Sequence, residues 1–357
     1  MKKMLVTGGA GFIGSNFIRY TLNHESEAEI LNLDLLTYAG SLENLGDLPD
    51  PSRHEFVQGD ICDRALVSRL LEDNEIELVV HFAAESHVDR SILGPGEFIR
   101  TNITGTFTLL DAVRVYRESH LDREIHFHHI STDEVYGSLG PGEPSFKEDT
   151  PLAPNSPYAA SKAASDHLVR AYHHTYGLPV TITNCSNNYG PYQFPEKLIP
   201  LMIMNARDGK ALPIYGDGQQ IRDWLYVGDH CQAIWRVIKQ GKPGGTYNVG
   251  GGNQPANLEI VKEICGILDE LLADSDYAPH FNLVEHVPDR PGHDRRYAVD
   301  HSKISTELNW VPETSLREGL LETVAWYLDH PDWIKKISQK KDYQSWVEEN
   351  YQNREVQ

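Results

Sequence analysis

The chain has 357 residues, of which 40% are hydrophobic and 24% are charged, and its formal net charge is −20. This length exceeds a typical domain of about 100–200 residues, so we expect one large unit with a smaller one attached to it. The acidic balance argues against a nucleic-acid partner, and no apolar run approaches the roughly 20 residues that cross a bilayer.

Two further features bear on location and metal content. The first residues pass directly into a glycine-rich turn, which leaves no room for the apolar core of a signal peptide. The four cysteines are spread along the chain without a close pair, so they indicate neither a zinc site nor a disulfide framework. We therefore expect a cytoplasmic protein with no bound metal and no membrane partner.

Short apolar runs alternate with helical patterns over the first half of the chain. The predicted strands are 3–7, 29–33, 54–58, 78–83, 125–131 and 180–185. The predicted helices are 15–23, 64–73, 97–117 and 156–176. This alternation predicts an α/β protein with a Rossmann-type, doubly wound parallel sheet.

The second half is more irregular, with many Pro, Gly, Asn and Tyr residues after Cys185. Residues 223–227 and 232–239 look like one more strand and helix of the first domain. We therefore predict a smaller, interleaved α/β substrate-binding domain and a polar tail without an obvious partner. The predicted division is 1–185 with 223–250 for the Rossmann domain, 186–222 with 251–330 for the smaller domain, and 331–357 for the tail.

A dinucleotide site is predicted where the first strand meets the first helix. In Gly8-x-x-Gly11-x-x-Gly14 the missing side chains allow a tight turn and a close backbone approach to a pyrophosphate. Asp34 ends the second strand, where a carboxylate can bind a ribose hydroxyl, and this favours NAD over NADP. The residues expected around the cofactor, at the carboxyl ends of strands and in the loops that follow, are Gly8, Gly11, Phe12, Ile13, Gly14, Asp34, Leu35, Leu36, Thr37, Asp60, Ile61, Phe82, Ala83, Ala84, Ser86 and Thr101.

Tyr158 and Lys162 lie four residues apart on a predicted helix, so both side chains project from one face. A neighbouring ammonium and a positively charged nicotinamide favour the phenolate, which can take a proton from a sugar hydroxyl. Thr132, at a strand end, can hold that hydroxyl in place. A surface helix pair is the alternative reading of the Tyr and Lys spacing.

Asp133 and Glu134 follow Thr132 directly. Once C4 of a hexose is a ketone, its C5 proton is acidic, so one carboxylate can remove that proton while a protonated carboxyl helps the C6 hydroxyl depart as water. Two adjacent acids can divide these tasks if their environments separate their pKa values. The alternative is a pair of solvated acids at a helix N-terminus.

Over nearly its whole length, the sequence resembles the dTDP-glucose 4,6-dehydratase family of the extended short-chain dehydrogenase/reductases. The glycine motif and Tyr158-x-x-x-Lys162 are typical of the whole superfamily. Four longer segments carry the specific resemblance: Ala83-Ala84-Glu85-Ser86-His87-Val88-Asp89, Ser131-Thr132-Asp133-Glu134-Val135-Tyr136-Gly137, Asn184-Cys185-Ser186-Asn187-Asn188-Tyr189-Gly190-Pro191 and Asp289-Arg290-Pro291-Gly292-His293-Asp294.

The resemblance implies a role for each catalytic residue. Asp133 is then the acid toward the C6 hydroxyl, Glu134 the base at C5 and Tyr158 the base at the C4 hydroxyl. Lys162 is its partner and contacts the nicotinamide ribose, as part of an NAD site that also includes Asn188. The residues implied to contact dTDP-glucose are Ser86, Thr132, Asn187, Lys197, Leu198, Pro213, Ile214, Tyr215, Arg222, Asn257, Asp289, Arg290, Pro291, Gly292 and His293.

The resemblance also implies a homodimer in which helices 97–117 and 156–176 of two subunits form a four-helix bundle. Several alternatives remain open from the sequence. The nearest alternative is the same dehydration of UDP-glucose or another sugar nucleotide. A second alternative is 4-epimerisation or decarboxylation, which would leave Asp133 and Glu134 without a task. A non-catalytic protein that senses NAD is the alternative from a different class.

Overall fold

The computed structural model describes residues 3–140, 142–289, 294–340 and 344. Its strands are β1 Lys3–Thr7, β2 Glu29–Asp34, β3 His54–Gln58, β4 Leu78–His81, β5 His126–Thr132, β6 Val180–Cys185, β7 Asn187–Tyr189, β8 Leu212–Tyr215, β9 Trp224–Tyr226, β10 Thr246–Val249 and β11 Val284–Val287. Its α-helices are α1 Phe12–His24, α2 Arg64–Asn74, α3 Val88–Leu93, α4 Pro95–Phe98, α5 Thr106–Ser119, α6 Pro157–Tyr176, α7 Leu198–Arg207, α8 Val227–Gln240, α9 Asn257–Leu271, α10 Ser302–Leu308, α11 Leu316–Asp329 and α12 Pro331–Ser338. A π-helical turn, Ile99–Gly105, joins α4 to α5. Within these ranges no helix is long and apolar enough to span a membrane.

Seven strands form one parallel sheet in the order β10-β6-β5-β4-β1-β2-β3. The chain builds outward from β1 in one direction and then returns to build outward from β4 in the other. The order therefore reverses between β1 and β4, and ligands of such sheets bind in the crevice at this reversal, beyond the carboxyl ends of the strands. The predicted Rossmann-type fold is confirmed.

Alternate residues of each strand face opposite layers of helices. Leu5 and Val79 pack with side chains of α2, α5 and α6, whereas Met4 and Val80 pack with side chains of α1 and α8. All four side chains are fully buried. Both faces of the sheet are thus covered, as a parallel sheet requires.

The strand predicted at 223–227 is wrongly placed. β9 pairs with β7 in a separate two-stranded sheet, and the seventh strand of the main sheet is β10, which pairs with β6. β10 has only four residues, so the sequence gives it little apolar periodicity. The helix predicted at 232–239 is present within α8 and packs against α1. The division into two domains remains a prediction.

A second hydrophobic core lies among α7, α9, α11 and α12. The tail, which has no obvious partner in the sequence, packs into this core through α12, where Trp333, Ile334 and Ile337 are buried. These three residues fall at positions i, i+1 and i+4, so they share one face of a short helix.

Candidate active site

The turn between β1 and α1 forms a cradle of bare backbone. Gly8 has a φ of +75°, and a Cβ at this position would lie 2.5 Å from the nitrogen of Ala83. A Cβ on Gly14 would lie 2.4 Å from the carbonyl oxygen of Gly8. Gly11 is the N-cap of α1 and has no side chain that could accept hydrogen bonds from the first amides of the helix. The first amides of α1 therefore remain available to an anionic group such as a pyrophosphate.

Asp34 lies beside this cradle at the end of β2. Its carboxylate accepts hydrogen bonds from the amides of Ala10 at 2.9 Å and Leu36 at 2.8 Å. Burial raises the pKa of Asp34, and the two amides act in the opposite direction. A carboxylate offers about four acceptor positions, so two remain for the hydroxyls of a ribose.

A cavity of about 310 Å³ extends from the cradle to the end of β5. Its lining contains every predicted cofactor-binding residue except Leu36, and these residues fit a dinucleotide. It also contains eight of the residues predicted for catalysis or substrate binding, namely Ser86, Thr132, Asp133, Glu134, Tyr158, Lys162, Asn187 and Lys197.

The acid pair follows β5 in a 3₁₀ helix, Asp133–Tyr136. Thr132 caps this turn, since its hydroxyl accepts a hydrogen bond from the amide of Glu134 at 3.3 Å and lies 3.4 Å from Asp133 Oδ1. Asp133 is buried, and its Oδ2 has no hydrogen-bond partner among the described residues. Burial, then repulsion from Glu134 and Asp223, raises the pKa of Asp133 well above its usual value. Burial therefore favours the protonated form of Asp133.

Helix α6 positions the tyrosine and the lysine. The Ser156 hydroxyl accepts a hydrogen bond from the amide of Ala159 at 3.1 Å and caps the helix. Tyr158 is buried, and burial followed by the charge of Glu134 raises the pKa of its phenol well above the usual value. A hydrogen bond with Thr132 acts in the opposite direction. Thr132 is thus shared between the acid pair and Tyr158.

Lys162 is buried behind Tyr158. Its Nζ donates a hydrogen bond to the carbonyl oxygen of Ile130 at 2.7 Å and lies 3.4 Å from Nε2 of His129. Burial lowers the pKa of Lys162 to about 8. Such a lysine gains from any buried anion nearby, because the anion stabilises its ammonium form.

Asp166 provides that anion, one turn further along α6, and the sequence reasoning missed it. Its Oδ2 accepts hydrogen bonds from the Ser131 hydroxyl at 2.9 Å and the Asn184 amide at 3.1 Å, and its Oδ1 lies 3.4 Å from His129. Burial raises the pKa of Asp166 to about 6, and its charge raises the pKa of Lys162. The spacing of four residues from Lys162 was the available signal.

The remaining predicted substrate contacts that the structure describes are outside the cavity lining. Arg222 is buried, donates to the carbonyl oxygens of Ile221 at 2.8 Å and Asp294 at 2.9 Å, and lowers the pKa of Asp133. Asn257 begins α9, and its buried amide oxygen has no partner in the described part of the chain. Leu198 begins α7, Pro213, Ile214 and Tyr215 belong to β8, and Asp289 accepts a hydrogen bond from Gln220 at 2.9 Å. Arg290, Pro291, Gly292 and His293 lie outside the described residues.

The cavity also has lining residues that were not predicted. The buried carboxyl of Glu196 lies 3.5 Å from Nε of Arg90 and 3.8 Å from Nε2 of His87. No short motif surrounds Glu196 in the sequence, so only the fold brings it to the site. The full set of unpredicted lining residues is Leu33, Tyr38, Ala39, Gly40, Gly59, Glu85, Ile130, Ser131, Cys185, Ser186, Gln193, Phe194 and Glu196.

A Rossmann sheet with a glycine cradle, and a helix carrying Tyr158 and Lys162 beside it, define a short-chain dehydrogenase/reductase. Residues 5–323 match the family model described as GDP-mannose 4,6 dehydratase. A dTDP-glucose 4,6-dehydratase of Shigella flexneri is 53% identical, with 99% of this chain and 100% of the relative covered. The enzyme of the same name from Neisseria meningitidis is 55% identical over 94% of this chain and 96% of its own length.

A crystal structure of a dTDP-glucose 4,6-dehydratase from Streptomyces venezuelae with NAD and dTDP bound is also similar, with a TM-score of 0.84 and 47% identity. It covers 94% of this chain, and 99% of that chain is matched. The chain belongs to the dTDP-glucose 4,6-dehydratase family. The family predicted from the sequence motifs is thereby confirmed.

Asp166→Asn should change how stability depends on pH. Between the usual pKa of 3.8 and the folded value of about 6 the folded protein holds a proton that the unfolded chain has released, so wild-type stability falls as pH rises through this window. Asparagine does not titrate. Relative to wild type, the variant should therefore gain free energy of unfolding, on the order of 2 kcal/mol, from about pH 4 to about pH 6. Urea unfolding at a series of pH values measures this.

The control for this experiment is Asp122→Asn, at an exposed position after α5. A difference between Asp166→Asn and wild type that stays constant over the whole pH range would contradict the assignment of Asp166 as a costly buried carboxyl.

Proposed function

We propose that this chain converts dTDP-glucose to dTDP-4-keto-6-deoxyglucose and water, with NAD held tightly throughout, as a step in deoxysugar biosynthesis. The observation that carries the proposal is a buried Asp133, whose pKa is raised by burial, next to Glu134, Thr132 and Tyr158 in the cavity that begins at the dinucleotide cradle. Simple oxidation needs only Tyr158 and Lys162, whereas loss of water also needs an acid and a base. We also propose a cytoplasmic location, because the four cysteines are free thiols, as is usual in a reducing compartment.

NAD, when bound, would supply the hydride acceptor for C4 of the sugar and then the hydride donor for C6. Tyr158 takes the proton of the C4 hydroxyl, which Thr132 orients through its own hydroxyl. We assign to the Lys162 ammonium the task of favouring the phenolate form of Tyr158 during this step. Asp133 and Glu134, in the turn that follows β5, then carry out the elimination.

Glu134 takes the C5 proton, and Asp133 gives its proton to the departing C6 hydroxyl. The two acids suit these opposite tasks because their surroundings differ. Asp133 is buried, and burial raises its pKa and favours its protonated form, whereas the half-buried Glu134 is nearer to water. Such a separation lets neighbouring carboxyls serve as acid and base at one pH.

Substrate binding is proposed to involve the loops around β8 and α9. Arg222 is the candidate for the diphosphate, because a guanidinium gives paired, charge-assisted hydrogen bonds. Two further candidates for contacts with the sugar nucleotide are the buried amide oxygen of Asn257 and Lys197, which lines the cavity. Tyr215 and its neighbours in β8 are the candidates for the nucleobase.

A homodimer is proposed on the strength of an apolar surface on α5, α6 and the turn before α5. Ile99, Phe107, Val115 and Tyr176 are exposed by 55%, 47%, 40% and 49% respectively. Helices α5 and α6 pack side by side, and the turn before α5 also packs on α6. Exposed apolar groups on adjacent helices fit the proposed four-helix bundle between two subunits.

The activity is tested by incubating purified protein with added NAD and either dTDP-glucose or UDP-glucose. We expect dTDP-glucose to lose one water, seen by mass and by the alkali-induced absorbance of a 4-keto-6-deoxy sugar, with no net reduced cofactor. UDP-glucose should react far more slowly. A change of hexose stereochemistry without loss of water would instead indicate an epimerase, and equal rates would reject the thymidine preference.

Asp133→Asn and Glu134→Gln should separate the two halves of the elimination. Asparagine cannot protonate the leaving hydroxyl, so Asp133→Asn should lose water roughly 10²–10⁴ times more slowly. Asp133→Asn should still exchange the C5 proton with deuterated solvent. Glu134→Gln should neither exchange this proton nor lose water. Mass spectrometry of recovered substrate measures both events. Exchange that survives in Glu134→Gln but not in Asp133→Asn would reverse the two roles.

Phe107→Glu should break the dimer, because it places a charge in the apolar surface between the proposed subunits. Sedimentation at micromolar concentration should give the mass of one chain. Leu121→Glu is the matched control, since Leu121 is 89% exposed but follows the end of α5, and it should stay dimeric. A Phe107→Glu protein with the mass of wild type would exclude this surface as the interface.

A further inference from the structure

Helix α12 lies against the loop that covers one side of the proposed cofactor site. This cover loop, residues 35–46, contributes Thr37, Tyr38, Ala39 and Gly40 to the cavity lining. Tyr38 and Trp333 belong to the same buried cluster, in which Trp333 is 7% exposed. The tail and the cofactor cavity thus lie on opposite sides of one loop.

A chain of buried hydrogen bonds runs from α12 through the cover loop to the cradle. The indole Nε1 of Trp333 donates to Asn44 Oδ1 at 2.9 Å, and Asn44 Nδ2 donates to the carbonyl oxygen of Ala10 at 2.9 Å. The amide of Ala10 in turn donates to Asp34 Oδ2 at 2.9 Å. Asn44 is 2% exposed, so water cannot easily replace a lost partner.

The cover loop also rests directly on Asp34. A Cβ on Gly40 would lie 3.0 Å from Asp34 Oδ1, and the Lys340 ammonium donates to the carbonyl oxygen of Gly40. The ion pair of Lys336 with Glu43 at 2.7 Å is exposed and contributes little. The buried contacts of Trp333 and the Lys340 hydrogen bond to Gly40 therefore couple the tail to the loop beside Asp34.

We propose that α12 retains the cofactor, with Trp333 as a positioning residue that holds the cover loop closed over the adenosine end of bound NAD. The proposal rests on the NAD site described above. Release of the cofactor requires the cover loop to move, and that movement breaks the bond between Trp333 and Asn44. By linkage, NAD should in turn hold α12 in place.

Trp333→Phe tests the proposal, because phenylalanine keeps most of the apolar packing and loses only the indole N–H. We expect NAD to leave this variant on the order of tenfold faster than wild type, as loss of one buried hydrogen bond implies. The measurements are NAD content after gel filtration and the rate of release into an NAD-trapping dehydrogenase. Turnover with saturating NAD should stay near wild type.

Three further variants make the result decisive. Trp235→Phe is the matched control, since the indole of Trp235, on α8, donates to Glu25 at 2.7 Å and takes no part in the hydrogen-bond chain from Trp333 to Asp34, so this variant should release NAD as wild type does. Asn44→Ala removes both bonds of the same chain and should reproduce Trp333→Phe, which guards against a folding defect in either variant. Gly14→Ala, which places a Cβ 2.4 Å from the Gly8 oxygen, should lose NAD outright.

Release from Trp333→Phe and Asn44→Ala at the rate of Trp235→Phe would overturn the retention role. These rates are measured without sugar nucleotide, so they remain informative if dTDP-glucose is not turned over. Conversely, if wild type dehydrates dTDP-glucose and Trp333→Phe releases NAD at the wild-type rate, only the role of α12 is rejected.

Discussion

The parallel pairing of the central strands is the constraint on which the whole site depends. Because these strands run in one direction, the residues that follow β1, β2, β4 and β5 meet at one edge although they lie far apart in sequence. The register sets Thr7 opposite His81 and Thr132 opposite Cys185. At Gly8 the fit is so close that a single Cβ would collide with the backbone after β4. A shift of one residue would also exchange the two faces of a strand, so the register tolerates no slip.

The same edge concentrates ionisable groups that are buried at a cost in stability. Asp133, Lys162 and Asp166 are all buried, and each has a pKa shifted toward its neutral form. Partial compensation comes from hydrogen bonds, such as those that Asp166 accepts from β5 and β6, and from the buried cation of Arg222 near Asp133. A site of this kind is stable only inside a large, well-packed domain, and the fully covered sheet provides one.

Local sequence patterns predicted the parts of the protein that local physics determines. The bounds of β1, β3 and β6 were predicted without error, and α6 begins and ends where Ser156 and Gly177 predicted. The glycine cradle and Asp34 meet in one cavity with Thr132, Asp133, Glu134, Tyr158 and Lys162, as their motifs indicated. Asp166, Glu196 and β10 were missed, because their roles arise from neighbours distant in sequence. The contact between Trp333 and Asn44, 289 residues apart, has no local signature at all.

The proposed reaction gives a physical reason for a cofactor site closed by the tail. The hydride removed from C4 is returned to C6 of the same sugar, so each turnover restores NAD and no exchange of cofactor is needed. An open site would only add the chance of losing a reduced cofactor between the two transfers, which would leave an oxidised intermediate stranded. A cover loop held by a buried indole at one side and resting on Asp34 at the other lowers that chance without touching the reacting atoms. Retention and chemistry are therefore assigned to different parts of the chain, the first to α12 and the cover loop, the second to the carboxyl end of β5 and the start of α6.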